Sequence, residues 1–75
     1  MLKNVRTGRK ILEYICLGLN NKEIGERMYL SRHTVKKEVA QILAKYQARN
    51  RVELASKVLK CGIIKVEKLV LNNFF

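Results

Sequence analysis

Residues 20–46 read NNKEIGERMYLSRHTVKKEVAQILAKY, and the fold turns on where this run breaks. Val35, Val39, Ile42 and Tyr46 recur at steps of four, three and four, so they line one stripe of a helix, with Leu43 beside it. A turn of about 100° per residue sets His33, Lys37, Ala40, Gln41 and Ala44 on the opposite, wet side, with Thr34 and Lys36 on its margins. Ser31 is a good N-cap for this helix, because its hydroxyl can accept a first-turn backbone N–H. Asn20 followed three residues later by Glu23 has the capping-box spacing and opens a shorter helix, NKEIGERM, expected to bury Ile24, Gly25 and Met28. Only YLS then separates the two helices, and Leu30 is expected to plug their angle.

Working outward, Ile11, Leu12, Ile15, Cys16 and Leu19 form one helical face, and Gly18 sits where a left-handed stop belongs. The first helix is therefore expected from about Gly8 to Leu17. The third is expected to end near Gln47 to Arg49. Asn50 and Glu53 repeat the capping-box spacing and begin a fourth helix, with apolar Val52, Leu54, Ala55, Val58 and Leu59 and a stop at Gly62. The tail IIKVEKLVLNNFF fits a short helix through Val66, Leu69 and Val70 and also an interrupted strand; the short helix is the reading taken here. The expected fold is all-α, a four-helix helix-turn-helix bundle over residues 1–64, with residues 65–75 as a short C-terminal extension.

A chain of 75 residues supports one domain, since folding at this size buries only about 60% of the unfolded surface. Sixteen basic against six acidic side chains leave +10, which attracts phosphate polyanions or anionic lipid. The charge is uneven: residues 1–10 carry +4, 11–30 carry −1, 31–50 carry +4 and 51–75 carry +3. It brackets a near-neutral segment, as a patch would. Cys16 and Cys61 read as small hydrophobes rather than a disulfide, and two cysteines without a ligand-spaced histidine make no zinc site. Glu13 interrupts the leader-like start, and no run reaches the ~18–20 apolar residues of a membrane span, so a cytoplasmic protein with no membrane partner is expected. There is no paired-carboxylate site, activated nucleophile, glycine-rich phosphate loop or metal cluster, so neither an enzyme nor a cofactor is expected.

A short helix, a three-residue turn and a longer amphipathic helix make the helix-turn-helix arrangement, in which the first helix crosses the phosphate backbone and the second lies in the major groove. Helices joined so tightly need a small residue at their contact, and Gly25 supplies it. At this point LGLNNKEIGERMYLSRHTVKKEVAQILAKYQARNRVELASKVLKCGII resembles the LuxR/GerE-type helix-turn-helix domain. The resemblance is carried by Gly18, Asn21, Lys22, Glu23, Ile24, Ser31, Thr34, Val35, Lys36, Val39, Ile42, Lys45, Asn50, Arg51, Glu53, Gly62 and Ile64, and covers about residues 5–64. It implies that the third helix enters the major groove, that Thr34 and Lys36 approach phosphates and bases, that Lys37 takes a base-contact position, and that the fourth helix forms a two-fold dimer contact. The chain departs from the family's pattern at residues 4–8, at Ala40, where a polar or basic residue is frequent, and at Glu38, where His is common. An acid beside a phosphate track opposes binding unless it points to a cytosine amino group or back to Lys45.

The expected DNA-binding set is Lys22, Ser31, Arg32, His33, Thr34, Lys36, Lys37, Gln41 and Arg49, and the expected dimerisation set is Val52, Ala55, Val58 and Leu59. Within the first, Ser31 is a cap before it is a contact, Arg32 and Thr34 are phosphate candidates at a helix start, and His33 either reads a base edge or sits idle. Lys22 and Arg49 are either backbone clamps or ordinary surface. The fourth-helix stripe is either core or partly left for a second copy to cover. The leading expectation is a homodimeric bacterial transcription regulator that reads double-stranded DNA as a rough inverted repeat, with half-sites about 34 Å apart. The alternative is a protein-interaction module docking on RNA polymerase or another regulator. No receiver or ligand domain fits in this length, so the chain is expected to be either a stand-alone regulator or an output domain of a longer one.

Overall fold

In a computed structural model of the chain, which describes residues 5–65 and 67, the elements are α1 (Val5–Cys16), α2 (Asn21–Met28), α3 (Arg32–Lys45) and α4 (Arg51–Lys60). Among the described residues there is no strand, and the all-α expectation holds. The tail helix expected beyond residue 65 falls outside the described residues except for Glu67.

Helix starts follow the caps. Asn20 accepts the Glu23 N–H through Oδ1 while Glu23 accepts the Asn20 N–H, both at 2.8 Å, a complete capping box. Ser31 Oγ accepts the Thr34 N–H at 3.0 Å and donates to Thr34 Oγ1 at 2.9 Å. Asn50 accepts the Glu53 N–H at 2.9 Å, but Glu53 reaches past Asn50 to the Arg49 N–H, also 2.9 Å. That box is opened by one residue. α1 begins three residues before the expected start; Thr7 and Gly8 lower helix propensity without stopping the helix, so they give no boundary signal.

The four helices α1 to α4 stop alike. An N–H bonds back five residues from Leu19 to Tyr14, Leu30 to Gly25, Ala48 to Leu43 and Ile63 to Val58, at 2.9–3.1 Å. The residue before each donor is left-handed: Gly18 (φ 87°), Tyr29 (φ 58°), Gln47 (φ 54°) and Gly62 (φ 75°). α3 therefore ends at Lys45, earlier than periodicity suggests, because Gln47 rather than a glycine makes the stop. Lys57 of α4 donates to the last carbonyls, Tyr46 at 3.2 Å and Gln47 at 2.9 Å.

The core is Ile11, Leu12, Tyr14, Ile15, Ile24, Val35, Val39, Ile42, Leu54, Val58 and Ile64. α1 lies at its centre: residues 11–15 are all buried, and the helix packs against both α3 and α4. That buries Glu13 too, whose Oε1 has no hydrogen bond and only the Lys10 ammonium at 3.7 Å. The Lys10 ammonium and the Arg27 guanidinium lie over the Tyr14 ring, 5.3 and 5.6 Å from its centre. Met28 and Leu30 are partly buried against the core rather than within it. Both cysteines are free. Cys16 is half-buried, and burial, then the nearby Glu13 charge, pushes its thiol pKa up; Cys61, read from the sequence as a small hydrophobe, is exposed.

Candidate nucleic-acid interface

α2 and α3 make the largest helix contact of the fold, and Gly25 sets its closeness. A Cβ at Gly25 would lie 2.6 Å from the Leu30 carbonyl oxygen and 3.6 Å from Val35 Cγ2. The turn thus folds its own backbone against α2, and α3 leaves at an angle that a side chain at residue 25 would widen. Val35, Val39 and Ile42 anchor α3 inward.

On the outer side of α3, Arg32, His33, Lys36, Lys37, Ala40, Gln41 and Ala44 are exposed, and Thr34 is half-buried at the margin. This is the wet side expected from periodicity. Glu38 differs from its expectation: it is 6% exposed, so it does not stand open beside a phosphate track. Its spacing from Val35 and Ile42, three and four, was the signal; its charge disguised a buried position. The outer face of α3 is consequently cationic with no opposing carboxylate of its own.

Ser31 is exposed, with its hydroxyl spent on capping α3 and on Thr34. Arg49 is exposed, but Glu53 occupies its guanidinium through contacts of 3.1 Å from both Nε and Nη2, so its charge is largely compensated. Lys22 is exposed on the first turn of α2 and shares a cleft with Arg32, Asn20, Asn21 and Arg51. Arg51 was not among the expected site residues. Its Nη1 donates to Asn21 Oδ1 and its Nη2 to the Leu19 carbonyl, both at 2.6 Å. Burial lowers its pKa from the ordinary arginine value, though a guanidinium stays charged at neutral pH. The sequence signal was the Asn50-Arg51 pair, whose second member matched the family without receiving a role.

The fourth-helix set separates. Val52 is 81% exposed and Val58 is fully buried; Ala55 and Leu59 are half-buried. Val58 therefore has no surface to offer a second copy, and the open apolar strip is Val52 with Ala55, bordering a groove shared with Ile15, Gly18, Leu19 and Arg51. Among the described residues, no group of three His, Cys, Asp or Glu could hold a metal ion, and no helix is long and apolar enough to cross a membrane.

Comparison with known proteins places this geometry. The family model described as bacterial regulatory proteins, luxR family, matches residues 6–58. The chain is 37% identical over 54 residues to the transcriptional regulatory protein LnrK of Bacillus subtilis, covering 72% of this chain and 24% of that one. It is 35% identical over 57 residues to the transcriptional regulatory protein DegU of Brevibacillus brevis, covering 76% and 24%. The match thus spans about a quarter of the length of these curated relatives. No solved structure matched the chain significantly. With the family's pattern running from α1 through most of α4, and with the tight α2–α3 turn that the pattern encodes, the chain belongs to the luxR family of bacterial regulatory proteins.

Proposed function

We propose that this chain binds double-stranded DNA sequence-specifically as a homodimer, with α3 in the major groove, and so regulates bacterial transcription in the cytoplasm. One observation carries the reading. Every exposed charged side chain on α3 is a cation, Arg32, Lys36, Lys37 and Lys45, while its single carboxylate, Glu38, is buried. Phosphates are drawn to such a face, and base edges meet the side chains at its centre. The relatives named above are transcriptional regulatory proteins, which agrees with it. The binding unit is residues 1–64, a boundary supported by Ile64, which is 1% exposed in the core; residues 65–75 are an extension to it. Val52, Ala55 and Leu59 supply the dimer contact. The fold measures 31 × 29 × 22 Å, so two copies joined side by side can present their α3 helices at the ~34 Å repeat of successive major grooves.

Selection from randomised duplexes at two salt concentrations, with mass measurement in solution, tests the proposal. A G-containing inverted repeat bound by two chains is expected, since lysine favours guanine N7 and O6. Lys37→Ala is expected to cost about 1–3 kcal/mol on the selected site and to relax its sequence preference. Equal loss on every duplex would reduce Lys37 to a phosphate contact, and recovery of random sequence would end the claim of specific reading.

A further inference from the structure

Three helix starts meet at one cleft. Lys22 from the first turn of α2, Arg32 from the first residue of α3 and Arg51 from the first residue of α4 line a concavity of about 400 Å³ with Asn20 and Asn21. Arg51 is unlike the other two. It is half-buried and held at both ends of its fork by neutral acceptors, Asn21 Oδ1 and the Leu19 carbonyl. Among the described residues no carboxylate pairs with it: Glu53 is engaged by Arg49 at 3.1 Å, Glu23 accepts the Asn20 N–H, and neither lines the cleft. A guanidinium has five N–H donors, so donors remain after those two bonds. The charge is immobilised but not neutralised, and ordering it for a ligand costs little further entropy.

We propose that Arg51, Lys22 and Arg32 together grip a single phosphodiester of the DNA backbone, which registers α4, and not only α2 and α3, against the duplex. The proposal rests on the DNA-binding reading above. The planar guanidinium fork suits the tetrahedral oxygens of a phosphate, and the flexible lysine and the more exposed arginine close on it as point charges. Because α4 also carries Val52, a phosphate held here ties the dimer contact rigidly to the backbone track. Half-site spacing then depends on this cleft as well as on the dimer surface.

The test uses Lys22→Gln, Arg32→Gln and the double variant, all at exposed positions, on a random-sequence 24-base-pair duplex. Affinity is expected to fall in each variant, while the slope of log affinity against log salt falls by no more than about 1 in either single variant and by no more than about 1 in the pair, because the three cations share one phosphate that can be neutralised only once. A fall of about 2 in the pair means two separate phosphates and overturns the grip. In parallel, inorganic phosphate is titrated into the full chain without DNA and the Arg51 Nε–H resonance is followed. A saturable shift in the wild type that disappears in the double variant is expected; no shift overturns Arg51's part. Duplex affinity that ignores all three variants removes the cleft and leaves the reading of DNA intact. Absence of any duplex affinity removes both.

Discussion

The pair proposed to read DNA, α2 and α3 (the reading pair), and the pair that supports it, α1 and α4 (the supporting pair), end their helices with the same backward hydrogen bond but with different residues at its left-handed position. The supporting pair uses Gly18 and Gly62, for which positive φ carries no steric penalty. The reading pair uses Tyr29 and Gln47, for which it costs roughly 1–2 kcal/mol. The same division appears in the packing. α1 is buried around its whole circumference at residues 11–15, whereas α3 buries one stripe and leaves the opposite side wet. The supporting pair holds the fold together, and the reading pair is a tight, strained attachment held at the angle that projects α3. The two should therefore fail in opposite ways, one when it is emptied and the other when it is filled.

Emptying the supporting pair should have the largest effect. Ile11 is fully buried, and Ile11→Ala is expected to cost about 2–5 kcal/mol of unfolding free energy, from lost transfer energy and the cavity left behind. Urea denaturation reads this directly. A cost under 1 kcal/mol, on the order expected of a surface substitution, would mean that α1 is not the centre of the core. Filling the reading pair comes next. Gly25→Ala places a Cβ against the Leu30 carbonyl, a backbone atom that cannot rotate away, and is expected to cost about 1–3 kcal/mol, with Gly25→Leu beyond that. Wild-type stability in Gly25→Ala would show that the turn has slack and that α3's angle is not set there.

The same contrast explains what was legible. Capping residues Asn20, Ser31 and Asn50 announced three helix starts, and the two glycines announced two stops, because each such residue supplies one local geometry that few others supply. Tyr29 and Gln47 make equal stops with residues that carry no such signal, so the end of α3 was placed too late. Glu38 was misjudged for the opposite reason: its type spoke louder than its position. The cationic wet side of α3 was legible from periodicity alone. The role of Arg51 was not, since its partners Leu19 and Asn21 lie about thirty residues earlier in the chain, a separation that no pattern within one helix can reveal.

A swap of cap residues sharpens the comparison at about 1 kcal/mol. Tyr29→Gly and Gln47→Gly should each stabilise by about 0.5–1 kcal/mol, the relief of positive φ less the greater freedom that glycine adds to the unfolded chain. The Tyr29 ring is 95% exposed and gives up no packing. Gly18→Ala should destabilise by about 1 kcal/mol on conformation alone, since a Cβ there meets nothing within 4 Å. Thermal melts resolve this, because 1 kcal/mol moves Tm by about 4–8 °C in a domain of this size. Stabilisation at Gly18, or loss at Gln47, would erase the distinction between the two pairs.

The smallest effect is on pH, and it concerns the start of α4. The Glu53 carboxylate is held below the ordinary carboxylate range, chiefly by the Arg49 backbone N–H, then by the Arg49 side chain. A group with a folded pKa below its unfolded value contributes stability that is complete above the unfolded pKa and is lost as pH falls through the folded one. The link between α3 and α4 should therefore loosen below the usual carboxylate range while neutral solutions leave it intact. Amide exchange at Arg49 and Glu53, followed from neutral to acid pH, should show protection falling in that window. Glu53→Gln should abolish the dependence while Asn50 still caps α4 through its own side chain. An unchanged acid profile in that variant would mean that the opened capping box contributes nothing through its charge, and that Asn50 alone starts the helix.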